Sequence, residues 1–324
     1  MKIGAVVVTF NRKKLLLRSL NALREQTYPL DAIFIIDGPS TDGTPEALKD
    51  YGYIKEIPPT NYSYNDYSWE TKNVIKSTTN TPIKIHYVRL YEDVGGAGGF
   101  HEGIKRAYEE GYDWIWIMDD DILPAPTCLE NLIKYSGKNP IVIPLRLSVK
   151  GGIEEYAALK INLNNPFVLK WKIHTKEYFK NIHDMPEVIR VEDFSFEGPL
   201  IKRKIISSVG FPQKNMFIFG DDTEYALRIQ VKTGVKPVLV RDAIMYRMIL
   251  HKKISYRGLY FRVRNTCFIM KKYGKNTFVK TIRPLLLSGR IAVAGIVKGK
   301  IKMTKIAIIA YVDFLKGVFP KRKF

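Results

Sequence analysis

In the first third of the chain, uninterrupted apolar runs alternate with segments of helical periodicity, and the runs end at carboxylates. Residues 3–8 are a continuous run rich in β-branched side chains, as expected of a parallel strand buried on both faces. Residues 13–26 follow with Leu16, Leu20 and Leu23 at helical spacing. Residues 32–36 form a second buried run, ending at Asp37. Residues 45–50 read as a short helix, with Thr44 as cap and Pro45 in its first position. Residues 83–90 return to strand, 98–110 to helix and 114–118 to strand, and this last run leads straight into Asp119, Asp120 and Asp121. Residues 51–81 are rich in Tyr, Asn, Thr and Ser, lack periodicity and read as an inserted loop. The alternation predicts an α/β fold with a doubly wound, mostly parallel sheet. Ligands of such sheets bind outside the carboxyl ends of the strands, where Asp37 and the acidic triplet stand.

Composition excludes other classes. With 324 residues, 46% hydrophobic and 26% charged, the chain is not disordered and can bury a large core without staples. Cys128 and Cys267 have no metal-ligand spacing, so neither a disulfide framework nor a cysteine zinc site is expected, and a reducing compartment is favoured. The N-terminal apolar run is too short for a secretory signal and reads as a strand. Charge is uneven. The net charge is +20, yet residues 251–324 hold 19 Lys and Arg against one acid, Asp313. Two regions with different roles are therefore expected: 1–245 as the main domain and 246–324 as a basic helical region. The apolar clusters at 285–287, 291–297 and 306–312 all fall short of the ~18 residues of a spanning helix. They suit amphipathic helices lying on an anionic membrane surface; lysine-coated helices packed on the main domain are the plainer alternative. A basic surface alone does not distinguish lipid from nucleic acid, and nucleic acid is not the expected partner.

Three adjacent carboxylates repel one another, and a fold keeps them ionised only with a compensating cation or strong donors. Asp119 and Asp121, alternate residues at a strand end, suit a shared Mg²⁺ or Mn²⁺ completed by a diphosphate. A solvated acidic turn is the alternative. Residues 95–99 (Gly-Gly-Ala-Gly-Gly) allow close backbone approach at a helix start, where an anion is favoured; Gly96 is the donor-contact candidate. The run is not a dinucleotide fingerprint, because His101 occupies the third glycine position, and no Gly-Lys-Ser/Thr follows to make a P-loop.

Together the ordered segments at 8–12 (Val-Thr-Phe-Asn-Arg), 37–44 (Asp-Gly-Pro-Ser-Thr-Asp-Gly-Thr), 93–100, 116–121 (Trp-Ile-Met-Asp-Asp-Asp), 219–225 (Phe-Gly-Asp-Asp-Thr-Glu-Tyr) and Arg264-Asn265 resemble family 2 glycosyltransferases of the GT-A fold, in particular the galactofuranosyltransferase and rhamnosyltransferase-like branch. The resemblance implies a Rossmann-like nucleotide-sugar-binding domain. It implies that Thr9, Arg12 and Asp37 hold the nucleotide base, that Asp119 lies near the ribose and diphosphate with Asp120 beside it, and that Asp121 ligates the metal. It implies that Asp222, or its neighbour Asp221, is the base that activates the acceptor hydroxyl. Two departures stand out. Tyr246 occupies the position of a metal-assisting histidine, for which His251 is the candidate substitute, and Asp93 replaces the asparagine common before the glycine run.

The expected activity is inverting transfer of a sugar from a UDP- or dTDP-linked donor to a glycan or lipid-linked acceptor. It would take place at the cytoplasmic face of the plasma membrane, in cell-envelope polysaccharide synthesis. A sugar-nucleotide nucleotidyltransferase is the enzymatic rival, but it would carry a glycine-rich loop after the first strand, which residues 9–12 lack. A membrane-associated nucleotide-binding adaptor is the non-enzymatic rival.

Overall fold

The computed structural model describes residues 1–59, 67–249 and 254–324. The first half runs β1 (Ile3–Thr9), α1 (Lys13–Arg24), β2 (Ala32–Asp37), α2 (Thr44–Asp50), β3 (Ser68–Lys76), β4 (Pro82–Leu90), α3 (Gly95–Glu109), β5 (Trp114–Asp119), β6 (Ile122–Pro124), α4 (Cys128–Ser136) and β7 (Ile141–Ser148). A small hairpin of β8 (Ala158–Ile161) and β9 (Lys172–His174) follows, then α5 (Thr175–Tyr178), β10 (Val188–Arg190), β11 (Leu200–Lys202), α6 (Arg203–Val209), α7 (Asp221–Thr233) and β12 (Val238–Arg247). Three helices end the chain: α8 (Tyr256–Tyr273), α9 (Thr277–Val297) and α10 (Ile301–Leu315).

The main sheet has the order β10-β12-β7-β11-β5-β1-β2-β4-β3, with β6 paired to β12. Strands β5, β1, β2 and β4 are mutually parallel, as the alternating pattern predicts. Antiparallel β11 then joins this block to a second parallel pair, β7 and β12. The β-branched run of β1 faces both ways: Val6 enters one core with Phe34 and Ile36, while Ala5 and Val7 enter the other with Ile33 and Ile35.

Three local expectations are corrected. The segment read as an inserted loop contains β3, an antiparallel edge strand on β4, with residues 60–66 outside the described structure. Its Lys, Glu, Asn and Thr hid it, because an edge strand half open to water needs no apolar run. Helix α2 is capped by Gly43 at φ 81°, while Thr44 Oγ1 donates to Asp42 at 2.6 Å. Helix α3 starts at Gly95, so the glycine run is its first turn.

That run is mainly a packing device. A Cβ on Gly99 would lie 2.6 Å from Val8 Cγ1, and one on Gly103 would lie 2.3 Å from Val6 Cγ1 and 2.9 Å from Ile36 Cγ1. Glycines spaced i, i+4 thus seat one face of α3 directly on β1 and β2. Gly103→Ala is expected to destabilise the protein by about 1–3 kcal/mol through overpacking, read as a lower urea midpoint. An unchanged midpoint would show that the helix is not seated so closely.

The basic region is helical, as expected. Helices α8, α9 and α10 share an apolar cluster centred on Tyr260, Phe261, Ile306 and Ala310. Glu224 of α7 ties α8 to the main fold by accepting from Lys272 Nζ at 2.8 Å and Tyr273 Oη at 2.6 Å. No helix among the described residues is long and apolar enough to cross a membrane.

Candidate active site

Strand register brings three sequence-distant segments to one edge. Thr9 pairs with Asp37 and Val8 with Asp119, so the carboxyl ends of β1, β2 and β5 are level within a residue. Asp120, 2% exposed, accepts from Thr9 Oγ1 at 2.7 Å and from Arg12 Nη1 at 3.1 Å. The same guanidinium nitrogen reaches Asp121 at 3.4 Å. Thr9 and Arg12, expected on the nucleotide base, are thus fastened to the acidic triplet. The triplet is not a solvated turn, because Asp121 is 5% exposed.

Burial pushes Asp120 up to about 6, against the pull of Arg12 and Thr9. Asp119 is held well above the ordinary carboxylate range by burial, then by Asp121 and Glu197; Asp121 is raised by burial and then by Glu197. Asp121 Oδ1 is buried with no hydrogen-bond partner among the described residues. An orphaned hard oxygen beside mutually repelling carboxylates fits a divalent cation. The described residues offer no group of three or more His, Cys, Asp or Glu that could hold a metal alone, so Asp119 and Asp121 would need a ligand's oxygens to complete the shell. His251 lies outside the described residues. Tyr246 lies on β12 opposite Leu123 of β6, and the neighbouring Met248 N donates to Asp121 O at 2.9 Å.

Asp37, expected to contact a base, is wholly enclosed. It accepts from Ser40 Oγ at 2.5 Å, Tyr87 Oη at 2.7 Å and Arg89 Nη1 at 2.8 Å, while Arg89 also bonds Gly38 O and Ser40 O. Its carboxylate holds the loop after β2 and is not exposed. That loop is stitched to the β1–α1 loop through Asn11, which sits at φ 54° and accepts from Thr41 N at 2.6 Å. At the third strand end, Asp93 accepts from Gly95 N at 3.0 Å and so caps α3. A Cβ on Gly95 would fall 2.1 Å from Phe217 O, whereas one on Gly96 would make only an ordinary contact, 3.9 Å from Phe100 Cε2. Gly96 is therefore the glycine of the run least crowded by other side chains.

Asp221 and Asp222 open α7 after a bent loop: Phe217, Phe219 and Gly220 have φ of 67°, 65° and 84°. Asn265 secures the bend, its Nδ2 donating to Met216 O, Ile218 O and Phe219 O at 2.7–3.0 Å. Asp221 is buried and pushed up to about 8, by burial and then by Asp222. Asp222 is half-buried. Burial raises it, Lys172 opposes, and Asp193 and Glu197 add to the rise. Of the pair, Asp222 is the carboxylate with an ammonium opposite it and the one that senses Glu197.

Glu197 was not foreseen. It accepts from Arg146 and from Arg247 Nη2, the latter at 2.6 Å. Its loop is pinned to β5 by Trp116 Nε1 donating to Gly198 O at 2.9 Å. Arg146, 1% exposed, also pairs with Glu155 at 2.7 Å. Lys172 bonds Asp193 and, at 2.6 Å, Thr223 beside Asp222. The available signal was Arg146 itself, a charge in the otherwise apolar run 141–147.

Asp119 and Asp121 at the end of β5 and Asp222 at the start of α7 all feel the charge of Glu197. A model of glycosyl transferase family 2 matches residues 5–61 and 62–197. The chain belongs to glycosyl transferase family 2. Galactofuranosyltransferase GlfT1 of Mycolicibacterium smegmatis is 26% identical over 244 residues, covering 71% of this chain and 66% of that protein. dTDP-rhamnosyl transferase RfbF of Shigella flexneri is 25% identical over 255 residues, 72% of this chain and 80% of its own. Two solved structures share the GT-A fold at low identity. The Pyrobaculum calidifontis mannosyltransferase PcManGT in complex with GDP-Man and Mn²⁺ has TM-score 0.54, 16% identity and coverage of 97% and 87% of the two chains. S. aureus TarS 1-349 in complex with UDP-GlcNAc has TM-score 0.57, 14% identity and coverage of 99% and 82%.

Proposed function

We propose that this family 2 protein is a glycosyltransferase that moves a sugar from a nucleoside diphosphate donor, UDP- or dTDP-linked, to a glycan or lipid-linked hydroxyl, inverting the anomeric centre in one displacement. The observation that carries this reading is the seating of Asp119, Asp120 and Asp121 at the carboxyl ends of the parallel strands, with the buried, partnerless Oδ1 of Asp121 among them. Asp119 and Asp121 face the diphosphate and would hold Mn²⁺ or Mg²⁺, which neutralises charge growing on the leaving nucleoside diphosphate. Thr9 and Arg12 keep Asp120 and Asp121 in place. The space beside Gly96 admits the donor. Asp222 accepts the acceptor's proton as its oxygen attacks the anomeric carbon from the face opposite the leaving group. Lys172 opposes the rise that burial imposes on Asp222 and so favours its ionised form. Asp221, more deeply buried, retains its proton near neutrality. Two named relatives that are galactofuranosyl and rhamnosyl transferases support a donor of that kind, and a peripheral location at the inner face of the plasma membrane agrees with the basic helices.

The test is thermal shift with nucleotide-sugars, with and without Mn²⁺. Stabilisation by a donor only when Mn²⁺ is present is expected, and Asp121→Ala should abolish it. Because burial and Glu197 work against the charge of Asp121 while Arg12 and Arg247 favour it, the variant's own stability should stay within about 1 kcal/mol of the parent. Unaltered donor affinity in Asp121→Ala would remove the metal assignment.

A further inference from the structure

The two C-terminal helices pack on α8 and on each other, and each leaves one face uncovered. On α9 that face carries Phe278, Leu285, Val293, Ile296 and Val297, the last 80% exposed; these recur at helical spacing with no acidic residue among them. On α10 it carries Ile301, Ile308, Val312 and Leu315. Beside them stand exposed Lys298, Lys300, Lys305 and Lys316. The chain between β8 and β9 reaches the same place from the main domain. Its Phe167 and Leu169 are 65% and 79% exposed, and it is fixed to the start of α9 by Asn276 donating to Asn164 O at 2.6 Å and Arg283 to Val168 O at 3.2 Å. Apolar patches of this extent are not left to water without a use. A protein partner of ordinary composition would not require so one-sided a positive rim, whereas an anionic leaflet matches it and accepts the apolar side chains.

We propose that the β8–β9 tip, α9 and α10 form one docking face for an anionic lipid surface, with Phe167 and Leu169 entering the leaflet beside the exposed stripe of α9. Resting on the transfer proposed above, this also selects the acceptor. Leu169 lies three residues from Lys172, at most about 10 Å of chain, and Lys172 bonds Thr223 next to Asp222. An acceptor site beside Asp222, so close to the leaflet, is reached by the headgroup of a lipid-linked glycan whose tail stays in the membrane.

The experiment uses the full chain with vesicles of phosphatidylcholine, with and without phosphatidylglycerol. Sedimentation with the anionic vesicles alone is expected, weakening as salt is raised. Val293→Glu/Ile296→Glu and Lys298→Glu/Lys300→Glu should each weaken it by roughly tenfold, and Phe167→Glu/Leu169→Glu severalfold. All three pairs are exposed, so near-ultraviolet circular dichroism and the urea midpoint should be unchanged. Equal sedimentation of parent and variants, or none by the parent at low salt, overturns the docking face. So does a stable dimer that the glutamates split without affecting vesicles, because the stripe would then cover a second copy. Vesicle binding without any nucleotide-dependent thermal shift would leave the docking face standing and remove the transferase reading, so the two fail separately.

Discussion

Asp222→Asn should lower turnover by about 10²–10⁴-fold, the value of a positioned general base. Nucleotide-dependent thermal stabilisation should stay at the parental level. Asn keeps the shape of the side chain and the bond from Thr223 N to the oxygen at that position, 2.6 Å in the parent. It loses only the capacity to take a proton. The pH dependence should change with it. A base must be ionised, and burial raises Asp222 above its ordinary range, so parental turnover should fall as pH is lowered through that raised value. The variant's residual rate should lack that limb. Asp221→Asn is the control. Asp221 is pushed up to about 8 and holds its proton near neutrality, so its neutral amide replacement should cost much less. If Asp221→Asn lost turnover while Asp222→Asn kept it, the roles within the pair would be exchanged.

The largest stability loss is expected at Arg146. Arg146→Met should destabilise the protein by about 3–5 kcal/mol, because it leaves buried carboxylates without their cation. Arg146 is 1% exposed, pairs with Glu155 through two nitrogens at 2.7 and 3.1 Å, and pairs with Glu197 as well. Glu197 keeps Arg247, but Glu155 has no second cation among its described partners. Adding Glu155→Gln to Arg146→Met should therefore recover part of the loss. Guanidinium denaturation of the three proteins measures both effects. A single-variant loss below about 1 kcal/mol would mean that water enters to solvate the acids. Because Arg146 also holds Glu197, whose charge reaches Asp119, Asp121 and Asp222, the variant should also lose turnover under conditions where it remains folded.

The β-branched runs, the helical leucines and the carboxylates at strand ends were legible in the sequence, because each depends on local periodicity or on a residue next to its own strand. For that reason the parallel block β4-β2-β1-β5 and the placing of Asp119, Asp120 and Asp121 at its edge were foreseen. The joining of α8, α9 and α10 into one apolar cluster was foreseen only as a basic helical region, since which faces meet depends on packing. Strand β3 was missed because an edge strand need not be apolar. Glu197, Arg146 and Lys172 were missed because their meaning lies in partners 9 to 51 residues away. Register and the loop after β10 bring those partners together, and neither has a local signature. The same holds for Asp37, whose position at the end of β2 was plain from sequence. That it is spent on Ser40, Tyr87 and Arg89 follows only once β4 lies beside β2. Short-range patterning thus set which elements form and which acids reach the edge. Long-range contact decided which of those acids are paired within the protein, as Asp37 is, and which keep a buried oxygen without a partner, as Asp121 does.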